Sequence, residues 1–212
     1  MPFKNRKDAA RQLFRLVKQY EDEIDIVLAI PRGGVEVAAE LADEFRKPLG
    51  LINARKISSP HNPEVAIGAV APDGSRWFNQ DISSRYDKAI LDRQTEKALG
   101  ELKDRQQDFG GVELSSLHGR GVLVVDDGAA TGAILMACVE ALRRAGAHPV
   151  GAALPVAAIE VVSIMEDVAD YFLAAETPSD LLAVSEYYQD FGEVSHQTVK
   201  KLIQNTKAKR VP

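Results

Sequence analysis

Two adjacent acids, Asp126 and Asp127, occur where an apolar run meets a loop of small residues. The apolar run, residues 122–125, does not alternate with polar side chains, a pattern typical of a strand buried on both faces of a parallel sheet. After the loop, apolar residues at helical spacing begin at Ala133. The sequence therefore predicts a buried strand, a loop and a helix, with two carboxylates at the end of the strand.

The loop between the acids and this helix is suited to an anion. Its N–H groups lie at the start of a helix, where partial positive charge favours phosphate. Small residues let a phosphate approach the backbone closely, and one hydroxyl adds a donor. The loop consists of Gly128, Ala129, Ala130, Thr131 and Gly132. We therefore regard it as a candidate phosphate-binding loop.

The two acids suit a different part of a ligand. The carboxylates of Asp126 and Asp127 could accept hydrogen bonds from vicinal hydroxyls, or bind a divalent cation whose other ligands come from the substrate. A phosphate and a diol at this separation describe a ribose 5-phosphate. The alternative is structural: a buried strand followed by an acidic turn and an ordinary helix start.

A second strand–loop–helix unit occurs earlier in the chain. An apolar run at residues 25–30 ends in the sequence PRGG, and apolar residues at helical spacing follow. Glycines allow the backbone to come close to a ligand. Arg32 supplies a planar guanidinium that matches phosphate oxygens. Taken alone, this loop could equally be a simple turn between a strand and a helix.

The segment VLVVDDGAATG, residues 122–132, resembles the phosphoribosyl diphosphate (PRPP) motif of the type I phosphoribosyltransferases. In that family the acids contact the ribose hydroxyls and the loop holds the 5-phosphate. The resemblance therefore assigns Asp126 and Asp127 to the ribose and residues 128–132 to the phosphate. The chain departs from the family at one place, since Ala133 and Ile134 stand where a second Ser or Thr often follows the Thr-Gly pair.

The resemblance extends to the PRGG loop. In the same family the loop after the first core strand binds the pyrophosphate of PRPP, often with an unusual cis peptide. It implies that Pro31, Gly33 and Gly34 bind this substrate and that Arg32 stabilises the departing pyrophosphate.

Two further cations follow a short strand predicted at residues 49–53. Arg55 and Lys56 would lie at the carboxyl edge of a parallel sheet, where ligands gather. A second pyrophosphate contact is expected from one of them, and Lys56 is preferred over Arg55. The alternative is a solvated strand end.

The resemblance implies a phosphoribosyltransferase that uses PRPP and Mg²⁺. It would transfer the 5-phosphoribosyl group to an unidentified nitrogen acceptor, expected to be a nucleobase, with release of pyrophosphate. A ribosyl oxocarbenium-like transition state calls mainly for positioning and electrostatics. Asp126 and Asp127 would help hold Mg²⁺, largely through the substrate. Two alternatives stay open: a PRPP- or nucleotide-binding regulator without turnover, and a hydrolase of phosphoribosyl compounds on the same fold.

The order of apolar runs and amphipathic segments predicts an α/β fold with a parallel-sheet core wrapped by helices. We expect one domain over residues 1–212. An alternating stretch and a Pro-Asp-Gly turn indicate a hairpin, and the resemblance implies a flexible lid at about residues 56–80. Its polar candidates for a catalytic role are His61, Asn62 and Glu64. For each, the alternative is a turn residue or a solvated side chain.

The resemblance implies a small C-terminal hood, or cap, at about residues 176–205. Its aromatic residues include Tyr187 and Tyr188, which could stack on a planar base as part of an acceptor site. They could equally form a small core under the cap. Ser195 is expected to cap the final helix.

Two helices are expected outside these motifs. Residues 5–20 predict a helix that covers one sheet face and has a structural role. Residues 82–109 are charged and helix-forming, with a sparse apolar stripe. This stripe is compatible with packing in a homodimer, and the pattern alone leaves that open.

The amino-acid composition limits which partners the protein is expected to bind and in which cellular compartment it is expected to occur. The net charge of −5 provides no general field for nucleic acid, and the basic cluster at residues 207–210 is expected to be a solvated tail. Cys138 is the only cysteine and lies on an apolar helix face, so we expect a core residue and a reducing compartment. No apolar run approaches 18 residues. We therefore expect a cytoplasmic protein without a membrane span.

Overall fold

The structure, a computed structural model, describes residues 2–63 and 65–206. Glu64 and the basic cluster at residues 207–210 lie outside the described residues. The described strands are β1 (Ile26–Ala29), β2 (Leu49–Leu51), β3 (Arg55–Ser58), β4 (Ala66–Val70), β5 (Arg76–Phe78), β6 (Val122–Val125), β7 (Val150–Val156) and β8 (Tyr171–Glu176). The described α-helices are α1 (Arg6–Val17), α2 (Gly34–Phe45), α3 (Gln80–Ser83), α4 (Lys88–Phe109), α5 (Ala133–Arg144), α6 (Ile159–Val168) and α7 (His196–Asn205).

Five strands form a parallel sheet in the order β2-β1-β6-β7-β8. This confirms the predicted α/β fold with a parallel-sheet core. Every residue of β1, β6 and β7 is buried, because helices cover both faces of the sheet. The last pair between β1 and β6 joins Ala29 to Val125. The PRGG loop and the acid motif therefore leave the sheet side by side at its carboxyl edge.

Successive side chains of β1 enter two different cores. Val27 belongs to a core that contains Leu13 of α1 and Leu41 of α2. Leu28 belongs to a core on the other side, which contains Val139 of α5. Side chains alternate along a strand with a period of two, so a strand covered on both faces needs apolar residues at every position.

A second, antiparallel sheet has the order β3-β4-β5. Its β4–β5 hairpin, in which Val70 pairs with Arg76, confirms the hairpin predicted in the lid. The strand β3 was not predicted, since Arg55 and Lys56 were expected at the end of the preceding strand. In the structure Arg55 pairs with Val70. This pairing lies far along the chain, so the local pattern of residues 55–58 could not indicate it.

The predicted helix over residues 82–109 is interrupted in the structure. The short helix α3 ends at Ser83, and α4 begins after Asp87, whose side chain accepts a hydrogen bond from the N–H of Ile90 at 2.8 Å. Such a cap starts a new helix. The apolar stripe of α4 packs against β3 and β4 of the same chain. The stripe is therefore already covered and does not itself require a second subunit.

The two ends of the described chain pack together. The N–H of Phe3 donates to the carbonyl of Tyr187 at 3.1 Å, and the N–H of Gln189 donates to the carbonyl of Phe3 at 2.9 Å. Ser195 caps α7 as predicted, since its hydroxyl accepts a hydrogen bond from the N–H of Thr198. The cap, residues 176–205, is thus tied to the start of the chain.

Gly121, directly before β6, holds the start of that strand against the start of β1. Its carbonyl accepts hydrogen bonds from the N–H groups of Asp25 at 2.8 Å and Ile26 at 3.2 Å. Its own N–H donates to Oδ2 of Asp25 at 2.8 Å. A Cβ at this position would lie 1.8 Å from the carbonyl oxygen of Glu23. The close approach requires glycine, and it sets β6 in place beside β1.

We expect Gly121→Ala to lower the free energy of unfolding by about 1–3 kcal/mol, the usual cost of adding a methyl group where there is no room. Gly100→Ala is the matched control, because a Cβ there has no atom within 4 Å. In the interior of α4, alanine should stabilise the helix by up to about 1 kcal/mol. Urea unfolding followed by circular dichroism measures both changes. Equal stability of the two variants would contradict the contact described here.

Candidate functional site

Asp126 and Asp127 lie at the carboxyl end of β6 and are largely buried. Oδ2 of Asp127 accepts a hydrogen bond from Nε of Arg6 at 2.7 Å. Oδ1 of Asp126 accepts one from the N–H of Asp127 at 2.8 Å. Burial raises the pKa of Asp126 well above its ordinary value, and the charge of Asp127 raises it further. Burial also raises the pKa of Asp127, and Arg6 opposes that change. A ligand that supplies hydroxyl donors or a cation would stabilise both carboxylates.

The PRGG loop packs directly against the acid motif. A Cβ on Gly33 would lie 1.8 Å from Oδ2 of Asp127. A Cβ on Gly34 would lie 2.7 Å from the Cα of Asp126. The peptide bond between Pro31 and Arg32 is cis. The two loops that the sequence singled out therefore form one site.

The loop of residues 128–132 is anchored to the end of β7. The N–H of Ala129 donates to the carbonyl of Val156, and the N–H of Ala158 donates to the carbonyl of Ala129, both at 3.0 Å. Gly132 has a φ of 67°, which favours glycine. Thr131 is exposed. Its hydroxyl is accessible to a ligand at the start of α5.

Two helix N-termini open at this edge without a side-chain cap. In the described part of the chain, no side chain accepts a hydrogen bond from the first turn of α2 or of α5. Helix α6 is also uncapped, whereas Asn5 and Asp87 cap α1 and α4. Uncapped N–H groups and the helix dipole favour an anion. The starts of α2 and α5, the helices that follow the PRGG loop and the loop of residues 128–132, are therefore both suited to an anion.

Arg32 lies in a cleft with a volume of about 330 Å³ beside the PRGG loop. Its Nη2 is 2.5 Å from Oε1 of Glu193, in the cap. The same cleft is lined by Arg55 and Arg105. Nη1 of Arg105 donates a hydrogen bond to the carbonyl of Pro31 at 3.1 Å. Arg105 was not singled out from the sequence, because it is one of many charged residues on a helix with a solvated face.

Arg55 lines both this cleft and a neighbouring cavity of about 440 Å³ between β3 and α4, whereas Lys56 lines only the neighbouring cavity. The sequence favoured Lys56 over Arg55 as the second cation beside Arg32. The structure places Arg55 there. Nε of Arg55 is 2.5 Å from Oε2 of Glu101.

Tyr188 is a core residue of the cap. Its side chain is buried, and its ring packs against those of Phe3 and Phe191. Its hydroxyl donates a hydrogen bond to the carbonyl of Asp127 at 2.6 Å. The ring therefore has no free face for a base in this structure, which matches the small-core alternative. Tyr187 is only partly buried.

Arg6 joins the acid motif to the cap. Besides its bond to Asp127, its Nη1 donates to the carbonyl of Gly192 at 2.9 Å and lies 3.5 Å from Oε2 of Glu36. Its guanidinium carbon lies 3.9 Å from the ring centre of Phe191. The sequence predicts only a structural role for this helix, since no local signal separates Arg6 from the other cations of α1.

The carboxylate oxygens of Asp126 and Asp127 would suit a metal ion that is held partly by a substrate. In the described residues no group of three or more His, Cys, Asp or Glu side chains could hold a metal ion. Asp126 and Asp127 supply only carboxylate oxygens, which are suited to Mg²⁺, and the remaining ligands would come from substrate oxygens and water.

Two bulk predictions can be compared with the structure directly. Cys138, on α5, is fully buried in the core, and burial raises the pKa of its thiol. This confirms a core residue. Within residues 2–63 and 65–206, no helix is both long and apolar enough to span a membrane.

The amino-acid sequence is similar to a known domain family and to known proteins. The model of a family described as "Phosphoribosyl transferase domain" matches residues 3–162. A protein of two strains of Mycobacterium tuberculosis, named "Putative phosphoribosyl transferase", is 36% identical over 200 residues. The aligned region covers 93% of this chain and 45% of that protein. This chain therefore spans less than half the length of the curated relatives that it matches.

Several solved structures have a similar fold. The crystal structure of TT1426 from Thermus thermophilus has a TM-score of 0.78 and 32% identity, and the match covers 97% of this chain and 99% of that one. The APRTase of Giardia lamblia, crystallised with 9-deazaadenine, has a TM-score of 0.50 and 14% identity, with 82% of this chain and 80% of that one covered. The second likeness concerns the fold alone. Because the matched family domain contains both the PRGG loop and the acid motif, the chain belongs to the phosphoribosyl transferase family.

Proposed function

We propose that this chain is an enzyme domain that uses PRPP and Mg²⁺ and transfers the 5-phosphoribosyl group to a nitrogen acceptor. The observation that carries the proposal is the packing of the PRGG loop against Asp126 and Asp127. This packing puts the pair of carboxylates against the start of α2, and the N-termini of α2 and α5 both lack a side-chain cap. A ribose with phosphate at one end and diphosphate at the other matches this order of charges.

Each part of PRPP has its own group of residues in this proposal. The backbone of residues 128–132 and the hydroxyl of Thr131 bind the 5-phosphate. Asp126 and Asp127 accept hydrogen bonds from the ribose hydroxyls. Pro31, Gly33 and Gly34 present backbone to the pyrophosphate, and Arg32 contacts its oxygens. The phosphate contacts are remote from the reacting carbon, so their binding energy serves to orient it.

The reaction breaks the bond between C1 of the ribose and a pyrophosphate oxygen, which keeps the bonding electrons. The lone pair of the acceptor nitrogen forms the new bond to C1, and a proton from that nitrogen passes to solvent. Arg32 stabilises charge that develops on the leaving group. Mg²⁺, when bound, would neutralise part of the pyrophosphate charge. The carboxylates of Asp126 and Asp127 hold the ribose while positive charge develops on it.

We propose a nucleobase as the acceptor, and its contacts are expected from the cap. Residues 176–205 lie outside the matched family domain, as expected for the part that differs between acceptors. Tyr187 is the aromatic candidate for contact with a base, because Tyr188 is buried in the cap core.

Release of pyrophosphate from PRPP distinguishes the candidate functions. With Mg²⁺ and a panel of nucleobases, we expect release only when a suitable acceptor is present. The measurement is a coupled assay for pyrophosphate, with heat-inactivated protein as the control. Release without any acceptor would favour a hydrolase. Binding of PRPP without release under any acceptor would contradict the enzyme and favour a regulator.

We expect Asp126→Asn to weaken PRPP binding by about 10- to 100-fold, because a hydrogen bond to a charged group contributes about 1.5–3 kcal/mol. Asparagine has nearly the same shape, so the fold should be kept. Calorimetry with PRPP and Mg²⁺ measures the change. Asp22→Asn, which makes the same change of charge at an exposed position, is the control. An unchanged affinity of Asp126→Asn would refute the role of this acid.

We expect Glu193→Gln to tighten PRPP binding, because Glu193 occupies the guanidinium of Arg32 in this structure. Exposed ion pairs contribute about 0–1 kcal/mol, so the gain should reach at most about fivefold. The same calorimetric titration measures it. Glu186→Gln removes a charge at another exposed position of the cap and should leave the affinity unchanged. Weaker binding by Glu193→Gln would show that Glu193 does not compete with the substrate.

A further inference from the structure

Three arginines from three parts of the chain converge on the cleft beside the PRGG loop. Arg32 follows β1, Arg55 begins β3, and Arg105 lies in α4. Arg55 and α4 belong to the antiparallel unit, whereas Arg32 belongs to the parallel sheet. The cleft, with a volume of about 330 Å³, therefore lies between the two units.

The three arginines differ in whether a nearby carboxylate compensates their charge. Arg32 has Glu193 as its partner, and Arg55 has Glu101. In the described residues Arg105 has no carboxylate within 4.0 Å, and its hydrogen-bond partner is the carbonyl of Pro31. Burial lowers the pKa of Arg105, and the charges of Arg55 and Arg32 lower it further. A partly buried guanidinium among like charges is stabilised by an anion.

The carboxylates that line this cleft would not prevent an anion from binding there. Asp104 and Asp108 also line the cleft, and both are exposed on α4. Glu101 and Glu193 are held by exposed or half-exposed ion pairs, which a multiply charged ligand can replace at little cost. On another wall, Nε2 of His196 is buried and has no hydrogen-bond partner in the described residues. The cleft thus offers guanidinium groups to a ligand, and His196 is among its lining residues.

We propose that Arg105 is a pyrophosphate-binding residue. It acts with Arg32 and Arg55 on the diphosphate of PRPP and on the pyrophosphate that is released, so the inference rests on the proposed function. Guanidinium groups bind phosphate oxygens through paired N–H donors. The hydrogen bond from Arg105 to Pro31 already holds its guanidinium at the PRGG loop. A diphosphate that contacts Arg32 and Arg105 together would also join the parallel sheet to α4.

The test compares two simple anions that represent the two ends of PRPP. Calorimetry measures binding of inorganic pyrophosphate and of ribose 5-phosphate to the wild-type chain and to Arg105→Ala, with Mg²⁺ present. We expect Arg105→Ala to weaken pyrophosphate binding by roughly tenfold or more and to leave ribose 5-phosphate binding unchanged. Thr131→Val should show the reverse pattern, because Thr131 lies at the other phosphate site.

Two further variants control for charge and folding. Arg93→Ala removes an exposed arginine from the same helix and should change neither affinity. Arg105→Lys keeps the charge without the fork and should restore pyrophosphate binding only in part. Unchanged binding of ribose 5-phosphate shows that Arg105→Ala is folded. If it fails to fold, Arg105→Lys carries the comparison, and wild-type pyrophosphate affinity in that variant would overturn the inference.

The failures of the two proposals differ. If the wild-type chain binds pyrophosphate and Arg105→Ala binds it equally well, the role of Arg105 is overturned and the proposed function stands. If the wild-type chain binds neither pyrophosphate nor PRPP, the proposed function is overturned, and the inference with it. Equal losses for pyrophosphate and ribose 5-phosphate in a folded Arg105→Ala would show a general electrostatic effect and would also overturn the inference.

Discussion

The side-by-side pairing of β1 and β6 brings the two loops of the candidate site together. Their last pair, Ala29 with Val125, ends both strands at the same level of the sheet. The glycines after Arg32 then lie so close to the acids that a Cβ on Gly34 would overlap the backbone of Asp126. No loop with side chains at those two positions could be placed there. The PRGG loop, the two carboxylates and the loop of residues 128–132 therefore lie close together because of the course of the backbone.

Burial makes this arrangement electrostatically demanding. Asp126 and Asp127 are costly to ionise together in an environment with little water, and Arg6 compensates only Asp127. Positive charges are crowded in the same way across the PRGG loop, because Arg32, Arg55 and Arg105 share one cleft. Within the described residues these arginines form no ion pair with Asp126 or Asp127, although the charge of Arg105 partly lowers the pKa of Asp126. The proposed ligand, with hydroxyls in its middle and phosphates at its ends, would relieve both imbalances.

Much of this could be predicted from the sequence, because the signals are local. Apolar runs that end in PRGG and in the acid motif indicated the parallel strands, the loops and the helix starts. The strand β3 could not be predicted, since Arg55 finds its partner only across the fold. Arg6 and Arg105 lie on helices with many charged residues, and only tertiary packing distinguishes them. Tyr188 was ambiguous for the same reason: an aromatic residue in a loop can face a ligand or a core.

The hydrogen bond from Tyr188 to Asp127 has a consequence for how such domains can be recombined. The matched family domain ends at residue 162, yet an acid within it is held by a hydroxyl from residue 188, and Arg6 is held by the carbonyl of Gly192. A cap exchanged with that of a relative must therefore bring its own donor and acceptor for these two positions. Without them, a chimaera with an exchanged cap would also disturb the positions of Asp127 and Arg6.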